Sequence, residues 1–257
     1  MVSINILSWN RPRLLKLTLE SLLHSLRNCA VKTEIIILDQ GSGGFTQAIL
    51  DGYENKVDKI IRLNKNIGIA SGWNKLYKYS YGDFILPIEN DWFCDAVTGV
   101  WLEDAIRVLN HDERISFIKL RSLIDHDDYG HGLIEHSPWS LQSEEGSKRY
   151  EIQSHDSGLQ FYCATPKNIS FTFNPVLMPR KFRDFIGQFY CDDPCNMTPL
   201  RSGEDRPSEV WREQKGCLGA TLIDGPFRHT GFHQRTTQLL NLPIYIGKYM
   251  LRKLLTK

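Results

Sequence analysis

The feature that most narrows the possible folds is the regular exchange of short apolar runs with helix-period stretches over the first third of the chain. Residues 3–8 alternate as a strand does. Asn10-Arg11-Pro12 then leads into Leu14, Leu15, Leu17, Leu19, Leu22, Leu23 and Leu26, whose spacing predicts a helix. Residues 34–38 form a second apolar strand, continuous enough to be covered on both faces as in a parallel sheet. It stops at Asp39-Gln40-Gly41-Ser42-Gly43-Gly44. A helix over 45–53, a strand over 59–63, a helix over 69–79 and a strand over 83–88 continue the pattern. This order implies an α/β fold with right-handed crossovers and a mostly parallel central sheet. Its polar loops would gather at the C-terminal strand ends, where open α/β sheets take ligands.

Ser8, Asn10, Asp39, Glu89 and Asp91 all fall at such ends. Glu89 and Asp91 are spaced i, i+2, which in extended backbone sets both carboxylates on one side as hard ligands for a divalent cation. The competing reading is a strand that closes in a polar turn. Beyond Trp92 the pattern predicts a helix over 97–109, a strand over 115–120 and a polar loop over 123–150. One or two strands over 159–173 and a helix over 179–189 follow. With 257 residues and no repeat or linker, the simplest account is one domain spanning 1–257. It divides into two halves, over 1–115 and over 116–235, and a C-terminal helix over 236–257.

Charge excludes one class of partner: 31 basic against 30 acidic residues leave nothing that points to nucleic acid. The six cysteines are scattered, no basic leader opens the chain, and no run reaches the ~20 apolar residues of a membrane span, so the expectation is a cytoplasmic protein with free thiols. The acidic and histidine-rich stretch Asp125-His126-Asp127-Asp128 reads as a solvated loop. Trp92, Trp139 and Trp211 read as packing residues or as sugar platforms. Residues 239–257 mix Leu and Ile with Lys and Arg, which suits either a helix docked on the domain or an amphipathic helix in peripheral contact with a membrane.

Four segments carry a more specific signal. They are Val2-Ser3-Ile4-Asn5-Ile6-Leu7-Ser8-Trp9-Asn10-Arg11-Pro12, Glu34-Ile35-Ile36-Ile37-Leu38-Asp39-Gln40-Gly41-Ser42, Asn64-Lys65-Asn66-Ile67-Gly68-Ile69-Ala70-Ser71-Gly72-Trp73-Asn74 and Glu89-Asn90-Asp91. In order and spacing they resemble the nucleotide-sugar motifs of family-2 glycosyltransferases with the GT-A fold. The resemblance implies that Ser8, Trp9, Asn10, Arg11 and Asp39 hold the nucleoside, and that Asn66, Gly68, Asn74 and Asn90 complete the donor site. It makes Glu89 and Asp91 the acidic metal motif. Three departures bear on base identity and phosphate contacts: Gln40 stands where a second Asp is usual, Glu89 replaces the usual first Asp, and Trp73 sits where an Arg is frequent.

The second half adds Gly203-Glu204-Asp205, then Val210-Trp211-Arg212-Glu213-Gln214-Lys215-Gly216, then Arg228-His229-Thr230-Gly231. These resemble the acidic pair that opens a helix in the acceptor half and the histidine that completes the metal site. Asp205 is then the general base and Glu204 the alternative; the competing reading of Asp205 is a helix cap. The implied chemistry is transfer of a sugar, with inversion, from a nucleoside-diphosphate donor to a glycan or lipid-linked acceptor. Uridine diphosphate is the favoured leaving group. Mn²⁺ would suit a mixed oxygen and imidazole set, whereas Mg²⁺ prefers oxygen. Two other readings stay open, a catalytically silent nucleotide-sugar-binding module and a sugar-phosphate nucleotidyltransferase. The latter is disfavoured because the first strand is not followed by a glycine-rich phosphate loop.

Overall fold

The computed structural model describes residues 1–121, 151–154, 160–173, 175–187, 205–222 and 225–230. Its first four strands are β1 (Val2–Ser8), β2 (Thr33–Asp39), β3 (Lys59–Arg62) and β4 (Phe84–Glu89). They alternate with α1 (Pro12–Ser25), α2 (Gly44–Asp51) and α3 (Ile69–Tyr77). After β5 (Trp92–Cys94) come α4 (Val100–His111), β6 (Ile115–Lys119), β7 (Glu151–Ser154), β8 (Gln160–Ala164) and β9 (Val176–Pro179). The described elements end with α5 (Arg180–Ile186), α6 (Asp205–Arg212), β10 (Leu218–Leu222) and β11 (Phe227–His229).

Among the described residues one sheet runs in the order β3-β2-β1-β4-β9-β6-β10-β8-β7, and β5 pairs with β11 in a separate ribbon. The motif-bearing strands pair in parallel, with Ser8 opposite Asp39 and Leu7 opposite Glu89. Their right-handed crossovers bring the loops after β1, β2 and β4 to one rim. Strand β9 runs antiparallel between β4 and β6, so β4 and β6 point the same way and the second half continues the same sheet. The outer strands β8 and β7 are antiparallel.

Helices cover both faces because the strands are apolar on both. Val2, Ile4 and Ile6 pack with Leu15, Leu19 and Leu22 of α1 and with Leu102, Ala105 and Val108 of α4. On the opposite face Leu7, Ile36 and Leu38 meet Trp73, Leu76 and Tyr77 of α3. That layer continues into Phe117, Phe171, Phe182 and Trp211. Each Val, Leu, Ile or Phe among them, fully buried, contributes roughly 1.5–3 kcal/mol. Two of the polar exceptions in β1 are bonded: Asn5 donates to Ser80 Oγ at 2.9 Å, and Ser3 bonds Glu34.

The predicted elements of the first half form, with ends that shift by a few residues. Among the described residues of the 159–173 stretch only β8 is strand. The following chain, through Ile169, Phe171 and Phe173, packs as irregular backbone against Phe117 and Trp211. The helix placed over 179–189 closes by Gly187, whose positive φ of 77° ends it. The loop at 123–150, including Asp125 to His131 and Trp139, lies outside the described residues.

Candidate active site

Two consecutive residues with left-handed backbone, Asn10 (φ 54°) and Arg11 (φ 52°), join β1 to α1. For residues other than glycine this conformation costs roughly 1–2 kcal/mol each. Partners across the rim hold the turn in place. Asn90 Nδ2 donates to the Asn10 carbonyl at 3.0 Å and lies 3.5 Å from that of Trp9. The Asn10 amide donates to Ser42 Oγ at 2.7 Å, and the Gly43 amide to Asn10 Oδ1 at 3.3 Å. The loops after β1, β2 and β4 are therefore stitched together by the residues that the sequence marked there.

Asp39 is fully buried at the end of β2. Its carboxylate accepts from the Ser42 amide at 3.0 Å, from the Ser42 hydroxyl, and from Gln47 Nε2 at 2.7 Å. Ser8, equally buried, sits beside it, and the Gln40 amide donates to the Ser8 carbonyl at 2.9 Å. Gln40, in the position where a second acid was expected, instead accepts the Ile67 amide at 3.2 Å and so ties the third motif to the second. In that motif the Gly68 amide donates to Asn66 Oδ1 at 2.7 Å, and Gly68 takes the positive φ of 84° that starts α3. Asn74 lies half-buried on α3.

The extended geometry that would align Glu89 with Asp91 stops at Glu89. Asn90 and Asp91 form a turn, and β5 leaves to pair with β11. Among the described residues no cluster of three or more His, Cys, Asp or Glu forms, so half-buried Glu89 does not join Asp91 and His229 in one group. Those two do meet. Pairing of β5 with β11 puts His229 opposite Trp92, their rings 4.8 Å apart, and brings His229 Nε2 within 3.4 Å of Asp91 Oδ2. The same oxygen receives Arg11 Nη1 at 2.5 Å. Thr230 fixes the turn by donating its amide (2.8 Å) and hydroxyl (2.7 Å) to the Asp91 carbonyl.

Contacts along α6 set its direction. Trp211 Nε1 donates to the Ile169 carbonyl at 2.8 Å and Ser208 Oγ to that of Phe171 at 2.6 Å. Ile169 lies against Gly219 near the start of β10, and the chain then climbs to Val176, which pairs with Lys119 at the C-terminal end of β6. The helix therefore rises toward that rim with Asp205 at its upper, N-terminal end. Glu204 and the tail at 239–257 lie outside the described residues. Trp92 and Trp211 are buried core residues, which removes them as exposed sugar platforms; Trp9, at 52 % exposure, is the solvent-facing tryptophan of the first motif. A cavity of about 270 Å³ lined by Ile115, Phe182, Phe185 and Trp211 opens at the start of β6, away from Asp91.

Sequence reasoning missed Gln47 and Arg62. Ser42 and Thr230 were visible only as parts of their motifs, without a role. Gln47 and Arg62 sit on ordinary helix and strand positions with no local signature, and Thr230 follows His229 in a ribbon too short to leave a period.

The half-sheet of parallel strands, the polar rim at its C-terminal ends and the acid at the β4 turn define the GT-A class of nucleotide-diphospho-sugar transferase folds. Residues 3–171 match the family model described as glycosyl transferase family 2, and the chain belongs to that family. Its fold is similar to that of the mannosyltransferase PcManGT from Pyrobaculum calidifontis, solved in complex with GDP-Man and Mn²⁺ (TM-score 0.63, 14% identity, 97% of this chain and 64% of that chain). It is similar also to S. aureus TarS 1–349 (TM-score 0.59, 17% identity, 88% of this chain and 59% of that chain). For TarS 1–349 in complex with UDP-GlcNAc the TM-score is 0.58 at 15% identity, over 98% of this chain and 65% of that chain. The chain thus spans less than two thirds of the length of these structures. No curated protein matches it. Among the described residues no helix is long and apolar enough to cross a membrane.

Proposed function

We propose that this chain transfers a sugar from a nucleoside diphosphate, uridine diphosphate being favoured, to a hydroxyl of a glycan or lipid-linked saccharide. The observation that carries the reading is the meeting of Arg11, Asp91 and His229. They come from three segments far apart in sequence, and they gather at the strand ends where an α/β sheet takes its ligand. The relatives in fold were solved with UDP-GlcNAc or with GDP-Man and Mn²⁺.

A buried carboxylate oxygen with an imidazole nitrogen 3.4 Å away is a donor pair suited to Mn²⁺. The guanidinium already on that oxygen marks it as a place that favours positive charge. Asp91 and His229 would hold the ion, and Glu89 stands apart from them. When bound, the cation supplies Lewis-acid stabilisation of the departing diphosphate, worth several kcal/mol. Arg11 adds a second positive charge beside the diphosphate. Asn10, Ser42 and Asp39 shape the nucleoside slot between the first two loops.

Asp205, at the rim end of α6, is the proposed general base. It would take the acceptor hydroxyl's proton as the new glycosidic bond forms, and one base with no enzyme nucleophile gives inversion. The single-domain division at about residue 115, and peripheral membrane contact through 239–257, belong to the same proposal. Liposome flotation of the full chain against one ending near Gln238 tests the membrane contact. The decisive experiment is a thermal-shift panel of uridine, guanosine and thymidine diphosphates with and without Mn²⁺. One of them should raise the melting temperature in a metal-dependent way, since a ligand that binds only the folded state stabilises it by mass action. No shift with any of them would reject the reading.

A further inference from the structure

Asp39 is held from the side of α2 and β3. Gln47, early in α2, donates Nε2 to Asp39 Oδ2 at 2.7 Å and to the Ser42 carbonyl at 3.2 Å. Its Oε1 accepts the Nε–H of Arg62 at 3.0 Å. Arg62 in turn bonds Asp51 at 2.6 Å and Glu54 at 2.7 Å, which fixes the guanidinium over the amide. A donor on one side and a carboxylate on the other leave the amide one orientation, oxygen toward Arg62 and nitrogen toward Asp39. The chain Asp51/Glu54–Arg62–Gln47–Asp39 therefore runs from the surface of α2 and β3 to the buried carboxylate. A glutamate in place of Gln47 would set two carboxylates against each other, and an alanine would leave Asp39 Oδ2 without this donor.

We propose that Gln47, oriented by Arg62, is a positioning residue that sets the Asp39 carboxylate for the nucleoside of the donor. It governs affinity for the base and ribose and leaves the diphosphate contacts alone. The inference rests on Asp39 serving the nucleoside, as in the proposed function. Oδ2 carries both the Ser42 amide and Gln47, whereas Oδ1 carries the Ser42 hydroxyl, so loss of Gln47 leaves the carboxylate held through Ser42 alone, without its tie to α2 and β3. A charge-assisted hydrogen bond whose partner is buried is among the stronger ones a side chain makes, and losing it is felt at the group it orients.

The test is calorimetric titration of the full chain with Mn²⁺ present, using the best-binding nucleoside diphosphate and inorganic pyrophosphate as separate probes. Gln47→Ala and Gln47→Glu are expected to weaken nucleoside diphosphate binding by roughly tenfold while pyrophosphate binding changes by less than about twofold. In steady-state assays the loss should fall on the donor KM and not on kcat. Arg62→Met, which releases the amide without touching Asp39, should reproduce part of the effect. Equal loss for both probes, or unchanged nucleoside affinity in Gln47→Ala, overturns the proposal. If Asp39→Asn binds the nucleoside diphosphate as wild type does, the assignment of Asp39 to the nucleoside is what fails, and the role of Gln47 is overturned with it.

Discussion

Replacing Asp91 with alanine separates stability from chemistry, because the two losses differ in magnitude. The lost side chain pairs with Arg11, whose side chain is 44% exposed and regains water when released, so the ion pair is discounted toward surface values. The two bonds from Thr230 go to the Asp91 main-chain carbonyl and survive the truncation. The stability cost is then about 1–2 kcal/mol, which for a chain of this size lowers the melting temperature by about 2–8 °C. The chemical cost is larger. Losing about 4 kcal/mol of Lewis-acid stabilisation, at 1.36 kcal/mol per decade, slows donor turnover roughly 10³-fold. The assay is thermal unfolding without added metal, beside turnover, with saturating Mn²⁺, of the donor identified by thermal shift. Turnover within tenfold of wild type would refute the reasoning. So would a collapse in melting temperature large enough to account for the lost activity.

Three further outcomes are expected. Asp205→Asn should unfold like wild type yet lose roughly 10²–10⁴-fold in turnover, and near-normal turnover would remove it as the base. Gly41→Ala should cost about 2 kcal/mol by thermal unfolding, because Gly41 has φ 71° and an added Cβ would sit 2.8 Å from the Lys65 backbone; a shift under about 1 °C would contradict this. Burial pushes the Cys94 thiol up to about 12, partly opposed by its bond to Ser25, against 9.0 when unfolded. The folded state thus keeps this proton longer, so its contribution is complete below pH 9 and is lost as pH climbs toward 12. Stability against pH should fall less steeply on that alkaline limb for Cys94→Ala than for wild type.

The first half of the chain was legible because its strands are apolar on both faces and its turns carry Pro12, Gly41 and Gly68, residues with only a few places to go. Asp91 was marked by its place at a strand end and His229 by resemblance, and the structure brings them within reach of each other. Glu89 was grouped with them on the assumption of extended backbone, and the turn at Asn90 undoes that geometry. The ribbon of β5 and β11 left no trace in the sequence, since three residues are too few to express a period and the pairing partner is more than a hundred residues away. Strand β9 was hidden for a related reason: its partners β4 and β6 come earlier in the chain, and Pro179 ends it after four residues. Gln47 and Arg62 matter through bonds made across α2 and β3, which local pattern does not encode.

Strand β9 also acts as a spacer. Bonded on one edge to β4 and on the other to β6, it sets the strand that leads to Asp91 two inter-strand steps, about 10 Å, from the strand beneath α6. The two reacting partners would then be gauged by main-chain hydrogen bonds and not by a hinge, so tolerance for acceptors of different bulk would have to come from the loops, with the ruler itself unbending.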